Sequence, residues 1–145
     1  MTADIHQGPV HGTAVAVGGR GFLILGPSGA GKSGLALQMI ALGAELVADD
    51  QVTLIRRDAA VLLSAPAALS GLIEARGVGL LTVPTRPEVE LQCVVDLATD
   101  PETRMPHPQH VHVLERRIDL INGRNVPNLS FVLMILGQNA QASQG

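Results

Sequence analysis

The sequence predicts an α/β fold with a mixed β-sheet, organised around a loop that binds phosphate. Short apolar runs of strand length recur along the whole chain. One amphipathic helix stands early, over Lys32–Leu42, directly behind a glycine-rich segment. That segment, Gly26-Pro27-Ser28-Gly29-Ala30-Gly31-Lys32-Ser33, fits the pattern G-x-x-x-x-G-K-[ST], with a strand before it and a helix after it. Many strands around one early strand–loop–helix unit point to α/β rather than to an all-α or all-β chain.

The elements follow in order. Val10–Val17 alternates in part and reads as one strand. Gly18–Gly21 is a turn cluster. Phe22–Leu25 is a continuous apolar run, the form a buried strand takes. Gly26–Gly31 is loop. In the helix, Leu35, Met39 and Leu42 share one side with Ala36 and Ile40 beside them, and Gly43 supplies a C-terminal stop. Leu46–Ala48 is a second buried strand and ends at Asp49-Asp50. Val52–Ile55 and Val61–Leu63 are expected to pair as a hairpin around Arg57-Asp58. Pro66–Gly71 is a turn or short helix, and Leu91–Leu97 is a strand followed by the proline-bearing loop Thr99–Pro108. Val111–Leu114 and Arg117–Ile121 are expected to pair. Asn128–Leu136 closes the fold as a helix with Asn128 near its N-cap, and the polar tail Gln138–Gly145 is expected to fray. No repeat or linker divides the chain, so residues 1–145 are expected to form one domain.

Composition excludes several function classes. A chain of 145 residues can bury about two-thirds of its unfolded surface. With 46% hydrophobic and 16% charged residues, disorder is not expected. Aromatic residues make up 1%, Phe22 and Phe131, which argues against reading single-stranded nucleic acid by base stacking. A net charge of −3 argues against a basic face for duplexes. No apolar run approaches the roughly 18 residues of a membrane span. Met1–Pro9 lacks the pattern of a signal peptide, and a cytoplasmic protein is expected. Cys93 stands alone, without a disulfide partner or a thiolate cluster. Of the ten basic residues only Lys32 is lysine, and it lies inside the glycine-rich pattern.

Each residue type in that pattern has a physical task. Glycines let successive N–H groups turn inward to cradle phosphate oxygens, and the helix N-terminus adds its positive end. Lys32 supplies a flexible point charge to the β and γ phosphates, and the Ser33 hydroxyl suits Mg²⁺. Asp49-Asp50 reads in two ways from the residues alone: a carboxylate pair serving metal or nucleophile, or a solvated turn with an Asx cap. Adjacent carboxylates at a strand end point to opposite sides, so the two are expected to differ in role. Glu74 and Arg76, two apart, read on chemistry alone as a surface ion pair. His107, His110 and His112 read as solvated loop histidines, since no acidic residue or cysteine lies inside His107–His112 to complete a metal site. His11 reads as a buried or edge histidine of a strand.

Taken together, His11-Gly12, Gly26–Ser33, Leu46–Asp50 and Ile73–Thr82 resemble the catalytic domain of the HPr kinase/phosphorylase family. Lys32 follows His11 by 21 positions and Asp50 follows Lys32 by 18, both in keeping with that family's pattern. Ile73-Glu74-Ala75-Arg76-Gly77-Val78-Gly79 is similar to its second signature. The resemblance runs from His11 to Thr82. It implies a phosphate-loop kinase core like the nucleotide-binding region of phosphoenolpyruvate carboxykinase. It also implies transfer of phosphate from ATP, with Mg²⁺, to a serine of the phosphocarrier protein HPr or a related carrier, and phosphorolysis in reverse. By the same resemblance Gly26, Pro27, Ser28, Gly29, Ala30, Gly31, Lys32 and Ser33 would bind nucleotide phosphates. Ser33 and Glu74 would hold Mg²⁺, Asp50 would be the base, and His11 and Lys32 would assist at the transferring phosphoryl group. A homo-oligomer is implied as well. There are departures. The expected form is the short one, the kinase core alone, and Val83–Glu88 follows Thr82 where the family carries a glycine-rich loop. Gly123-Arg124-Asn125 has a faint likeness to a later arginine motif, and no role is transferred to Arg124. These departures leave an alternative: a module that senses nucleotide, binds ATP and a partner, and transfers nothing.

Overall fold

Whether a strand is buried on one face or two follows from which of its alternate residues are apolar. The computed structural model describes residues 2–66 and 71–139. Its central strands are buried on both faces. In β2 (Thr13–Val17) every residue is buried, with Val15 and Val17 in one core layer and Ala14 and Ala16 in the other. β3 (Arg20–Leu25) pairs with it antiparallel and divides in the same way, Phe22 and Ile24 to one side and Leu23 to the other. β4 (Glu45–Ala48) closes that edge of the sheet against β2.

β9 (Glu88–Asp96) is the seam of the molecule. One edge runs parallel to β3 from Glu90 to Asp96, with a register shift between Gly21 and Phe22. The other edge is shared: β6 (Ala60–Ser64) takes Glu88–Glu90 antiparallel, and β11 (Arg116–Asn122) takes Cys93–Asp96 parallel. Beyond β6 lie β5 (Gln51–Arg57) and the short β1 (Val10–His11), and beyond β11 lies β10 (Gln109–Val113). Nine strands thus form one mixed sheet that forks at β9. Helices α1 (Lys32–Ala41) and α2 (Leu129–Gln138) cover one face, where Leu35, Met39, Leu133 and Met134 pack on Phe22 and Ile24. On the other face the sheet encloses its own core of Leu23, Val52, Leu63, Val94, Val111 and Val113. Neither helix is long and apolar enough to cross a membrane.

The predicted α/β class and mixed sheet are present, and several boundaries differ. The single strand expected over Val10–Val17 is broken at Gly12. A Cβ there would lie 2.8 Å from the Ile24 carbonyl oxygen, and the Gly12 N–H donates to Asp50 O at 3.0 Å. The chain crosses at that point from β5 to β3, which brings His11 beside Asp50. The helix stops as expected. Gly43 N–H donates to Ile40 O and Ala44 N–H to Met39 O, each at 3.0 Å, which closes a Schellman turn. The β5–β6 hairpin turns at Asp58-Ala59, one residue later than expected, with Asp58 at φ 56°.

A second hairpin, β7 (Leu72–Ala75) with β8 (Gly79–Thr82), is absent from the sequence-based list of elements. All of β8 is exposed, so it carries no burial pattern to read, while Ile73 and Ala75 of β7 turn inward. Residues 67–70 of the expected Pro66–Gly71 turn lie outside the described residues, as do residues 140–145 of the expected frayed tail. Asn128 does precede α2, but its φ of 59° is left-handed and its side chain makes no capping bond. Asparagine serves there because it tolerates that conformation, not as a hydrogen-bonding cap.

Candidate active site

The loop between β3 and α1 is built to receive anions. Gly26, Gly29 and Gly31 have φ of 152°, 88° and 97°, values that L side chains resist. A Cβ on Gly29 or Gly31 would meet nothing within 4 Å, so the space above the loop is open. The first helical bond runs from Leu35 N–H to Gly31 O at 2.9 Å, leaving the N–H groups of Lys32, Ser33 and Gly34 without helical partners. Lys32 is only 8% exposed, and its ammonium donates to Gly26 O at 2.8 Å and to Pro27 O at 3.0 Å. Among the described residues no carboxylate pairs with it.

The two aspartates that follow β4 separate because the backbone bends at Asp50. Asp49 turns toward the loop, where its Oδ1 accepts from the Ser33 hydroxyl at 3.1 Å and from the Thr13 hydroxyl at 2.9 Å. Asp50 has φ 76°, and its side chain is 76% exposed. His11 Nδ1 lies 3.4 Å from its carboxylate and 3.1 Å from its carbonyl oxygen. The β7–β8 hairpin forms the opposite rim and contributes Glu74 and Arg76. The expected Glu74–Arg76 ion pair does not form among the described residues, and the Glu74 carboxylate has no partner there.

His11, Lys32, Ser33, Asp50 and Glu74 therefore line one cleft of about 520 Å³, with Ser28, Gly29 and Gly31 of the loop. Gly26 sits behind the loop against Leu97, while Pro27 and Ala30 face the loop's far side. Asp49 and Thr13 also line the cleft, and the sequence had left the separate roles of Asp49 and Asp50 open. Asp49 was legible as a carboxylate ending an apolar strand, but which of two neighbours faces the loop depends on the bend at Asp50. Thr13 carried no signal, since a threonine opening a strand is ordinary.

The remaining histidines are not gathered into a site. His110 and His112 lie on β10 rather than in a loop. His110 accepts from Arg117 at 3.0 Å and faces Asp119 at 3.3 Å, its cross-strand neighbour, while His112 faces Asp4 at 3.7 Å. Among the described residues no group of three or more histidines, cysteines or carboxylates is placed to hold a metal.

Beyond the loop, the buried Asp96 at the end of β9 anchors the wall. Its carboxylate accepts from Ala98 N–H at 2.8 Å, from the Thr99 hydroxyl at 2.9 Å and from the Thr2 hydroxyl at 2.5 Å. Burial pushes this carboxyl up, but the three hydrogen bonds together outweigh it and hold the pKa below the ordinary carboxylate value. On acidification the unfolded chain takes up this proton before the folded one does. The stabilisation is complete above the ordinary carboxylate range and is lost as pH falls through the folded value. Urea midpoints measured from neutral pH down to about pH 2 should therefore fall more steeply for the wild type than for Asp96→Asn.

A strand–loop–helix with open glycine positions, a lysine held at its mouth and carboxylates on the next strand end defines a phosphate-loop α/β domain. The sequence profile of the HPr Serine kinase C-terminal domain matches residues 5–134, and the chain belongs to that family. The HPr kinase/phosphorylase of Geobacillus kaustophilus is 36% identical over 155 residues, covering 90% of this chain and 50% of that protein. That of Levilactobacillus brevis is 40% identical over 96 residues, covering 61% of this chain and 31% of that protein. The chain thus spans half or less of these curated relatives. The solved HPr(Ser) kinase/phosphatase from Coxiella burnetii shares the fold, with a TM-score of 0.76 at 22% identity over 95% of this chain and 93% of that one.

Proposed function

We propose that this chain transfers the γ-phosphate of ATP to a serine of the phosphocarrier protein HPr or a related carrier. The observation that carries the reading is the position of Asp50. It stands exposed at the rim of the cleft, beside His11, with the phosphate loop and Lys32 at the floor. An exposed carboxylate at an open rim suits a hydroxyl presented on a protein surface, which could not enter a closed pocket. The names of the curated relatives support the same acceptor.

The chain's own groups divide the work. The loop N–H groups and the N-terminus of α1 hold the phosphate oxygens. Lys32 exchanges its bonds to Gly26 O and Pro27 O for phosphate oxygens and offsets charge that develops at the γ-phosphoryl group. Asp50 accepts the serine proton as the serine oxygen bonds to phosphorus and the bond from phosphorus to the ADP oxygen breaks. In the reverse direction the same carboxyl returns the proton. His11 holds the Asp50 carboxylate in place.

The donor set also fits Mg²⁺. Ser33, Asp49 and Glu74 are hard oxygen donors. Asp49 spends only Oδ1 on hydroxyl partners, and Glu74 is unpaired among the described residues. Mg²⁺ takes few protein ligands and completes its shell with water and phosphate, so a cage of three acidic residues is not required. When bound, it supplies charge neutralisation at the β and γ phosphates.

A cytoplasmic location belongs to this reading. Cys93, the one cysteine, is buried, and burial with the nearby charge of Asp119 pushes its thiol up to about 12, which keeps it an inert thiol. The test is incubation of the chain with γ-labelled ATP, Mg²⁺ and purified HPr. The expected result is acid-stable label on one carrier serine, lost when that serine is replaced. Label that never leaves ATP with HPr or its relatives present would overturn the assignment.

A further inference from the structure

Beneath the cleft runs a ladder of contacts that includes one residue the proposed transfer does not use. Val10 and His11 lie opposite Val52 and Gln51, and Ala14 lies opposite Ala48, all in one register. That register sets Gly12 opposite Asp50 and Thr13 opposite Asp49. The Thr13 hydroxyl donates to Asp49 Oδ1 at 2.9 Å, and the Gly12 N–H donates to Asp50 O at 3.0 Å. His11 Nδ1 lies 3.4 Å from the Asp50 carboxylate. The tripeptide His11-Gly12-Thr13 thus clamps both aspartates. One step further along, the register shifts, and Val15 lies opposite Leu46. The extra residue of β4 makes a bulge, a device that re-aims the side chains beside it.

Thr13 is 1% exposed, and the rest of β2 is apolar. A hydroxyl at that depth costs free energy unless it is bonded, whereas valine has nearly the same shape and no such demand. The hydroxyl therefore serves its partner rather than the packing. That partner also accepts from the Ser33 hydroxyl, at 3.1 Å and on the same oxygen. Asp49 Oδ2 has no hydrogen bond among the described residues. Two donors on one oxygen, from β2 and from the start of α1, fix the rotation of the carboxylate. The Ser33 proton then points at Asp49, and the lone pairs of its oxygen are left for a cation in the cleft.

Resting on the Mg²⁺ reading above, we propose that Thr13 is a positioning residue for the metal. It pins Asp49 Oδ1, so that Ser33 keeps its proton on Asp49 and presents its oxygen to Mg²⁺. Thr13 acts through Asp49 and Ser33 and transfers nothing itself. Without its hydroxyl the carboxylate turns, and Ser33 loses a fixed acceptor. The loop N–H groups and Lys32 do not depend on this contact, so phosphate binding without metal is left intact.

The test is calorimetric titration with ATP, with and without Mg²⁺, of the whole chain, of Thr13→Val and of Thr13→Ser. In the wild type Mg²⁺ is expected to tighten ATP binding. Thr13→Val is expected to shrink that gain about tenfold, the scale on which a metal site weakens when a partner behind its ligands is removed. Its metal-free ATP affinity is expected to stay within about twofold of wild type, which also shows that the variant is folded. Thr13→Ser keeps the hydroxyl and is expected to keep the gain. Equal weakening with and without Mg²⁺ would make Thr13 merely structural and overturn the proposal. An unchanged gain in Thr13→Val, or a lost gain in Thr13→Ser, would overturn it too. A wild type that gains nothing from Mg²⁺ would instead overturn the Mg²⁺ reading, and this role with it.

Discussion

Lys32→Arg is expected to lose phosphoryl transfer by about a hundredfold or more, although it keeps the charge. The ammonium of Lys32 sits 2.8 Å and 3.0 Å from two carbonyl oxygens of a single loop, in a position 8% exposed. A compact ammonium with three rotatable donors can leave those carbonyls and reach phosphate oxygens without moving the loop. A guanidinium is wider, planar and fixed in its fork, and must displace either the backbone or the phosphates. Composition argues in the same direction. The chain uses arginine for its nine other basic residues, so lysine at this position is not a general habit of the sequence. Single-turnover transfer from γ-labelled ATP to HPr measures the effect, and a variant within a few-fold of wild type would refute the role assigned to Lys32.

Asp50→Asn is expected to lower kcat for transfer by roughly 10²- to 10⁴-fold while leaving ATP affinity nearly unchanged. The amide is isosteric and can still face His11, but it cannot take the serine proton. Asp49→Asn is the informative contrast. Asp49 accepts from Ser33 and Thr13 beneath the loop, so its loss should weaken Mg-ATP binding first. Measuring kcat and ATP affinity for both variants separates the two roles. A silent Asp50→Asn beside an inactive Asp49→Asn would exchange them. Should the wild type itself bind ATP and transfer nothing, the alternative of a nucleotide-sensing module would stand instead.

The legible parts of this molecule are those whose cause is local. The phosphate loop, the helix behind it, the Gly43 stop and the β5–β6 hairpin are all written in residues within one turn of each other. The break at Gly12 is not, because its cause is the Ile24 carbonyl 2.8 Å from where a side chain would begin, on a different strand. The fork at β9 is likewise a tertiary fact, since two strands from distant parts of the chain share one edge of it. The β7–β8 hairpin escaped because β8 is exposed throughout and gives no burial pattern to pair with β7, yet the hairpin is what carries Glu74 to the cleft. At the site, family spacing placed His11, Lys32, Asp50 and Glu74 in one cleft. Residue chemistry alone had left His11 as an edge histidine and Glu74 as half of an ion pair. Telling Asp49 from Asp50 needed the left-handed bend at Asp50, which no neighbouring residue announces.

The central claim is that one cleft gathers the phosphate loop, Lys32, the oxygen donors and Asp50 around a single γ-phosphate. A crystal structure of the chain with a non-hydrolysable ATP analogue and Mg²⁺ tests it most directly. The account predicts the γ-phosphate on Lys32 Nζ, with the metal on the Ser33 hydroxyl and a carboxylate of Asp49 or Glu74. The Asp50 carboxylate would face the side of the phosphorus opposite the leaving oxygen. A nucleotide bound away from the loop, or one whose γ-phosphate points from the loop toward Arg124, would contradict it.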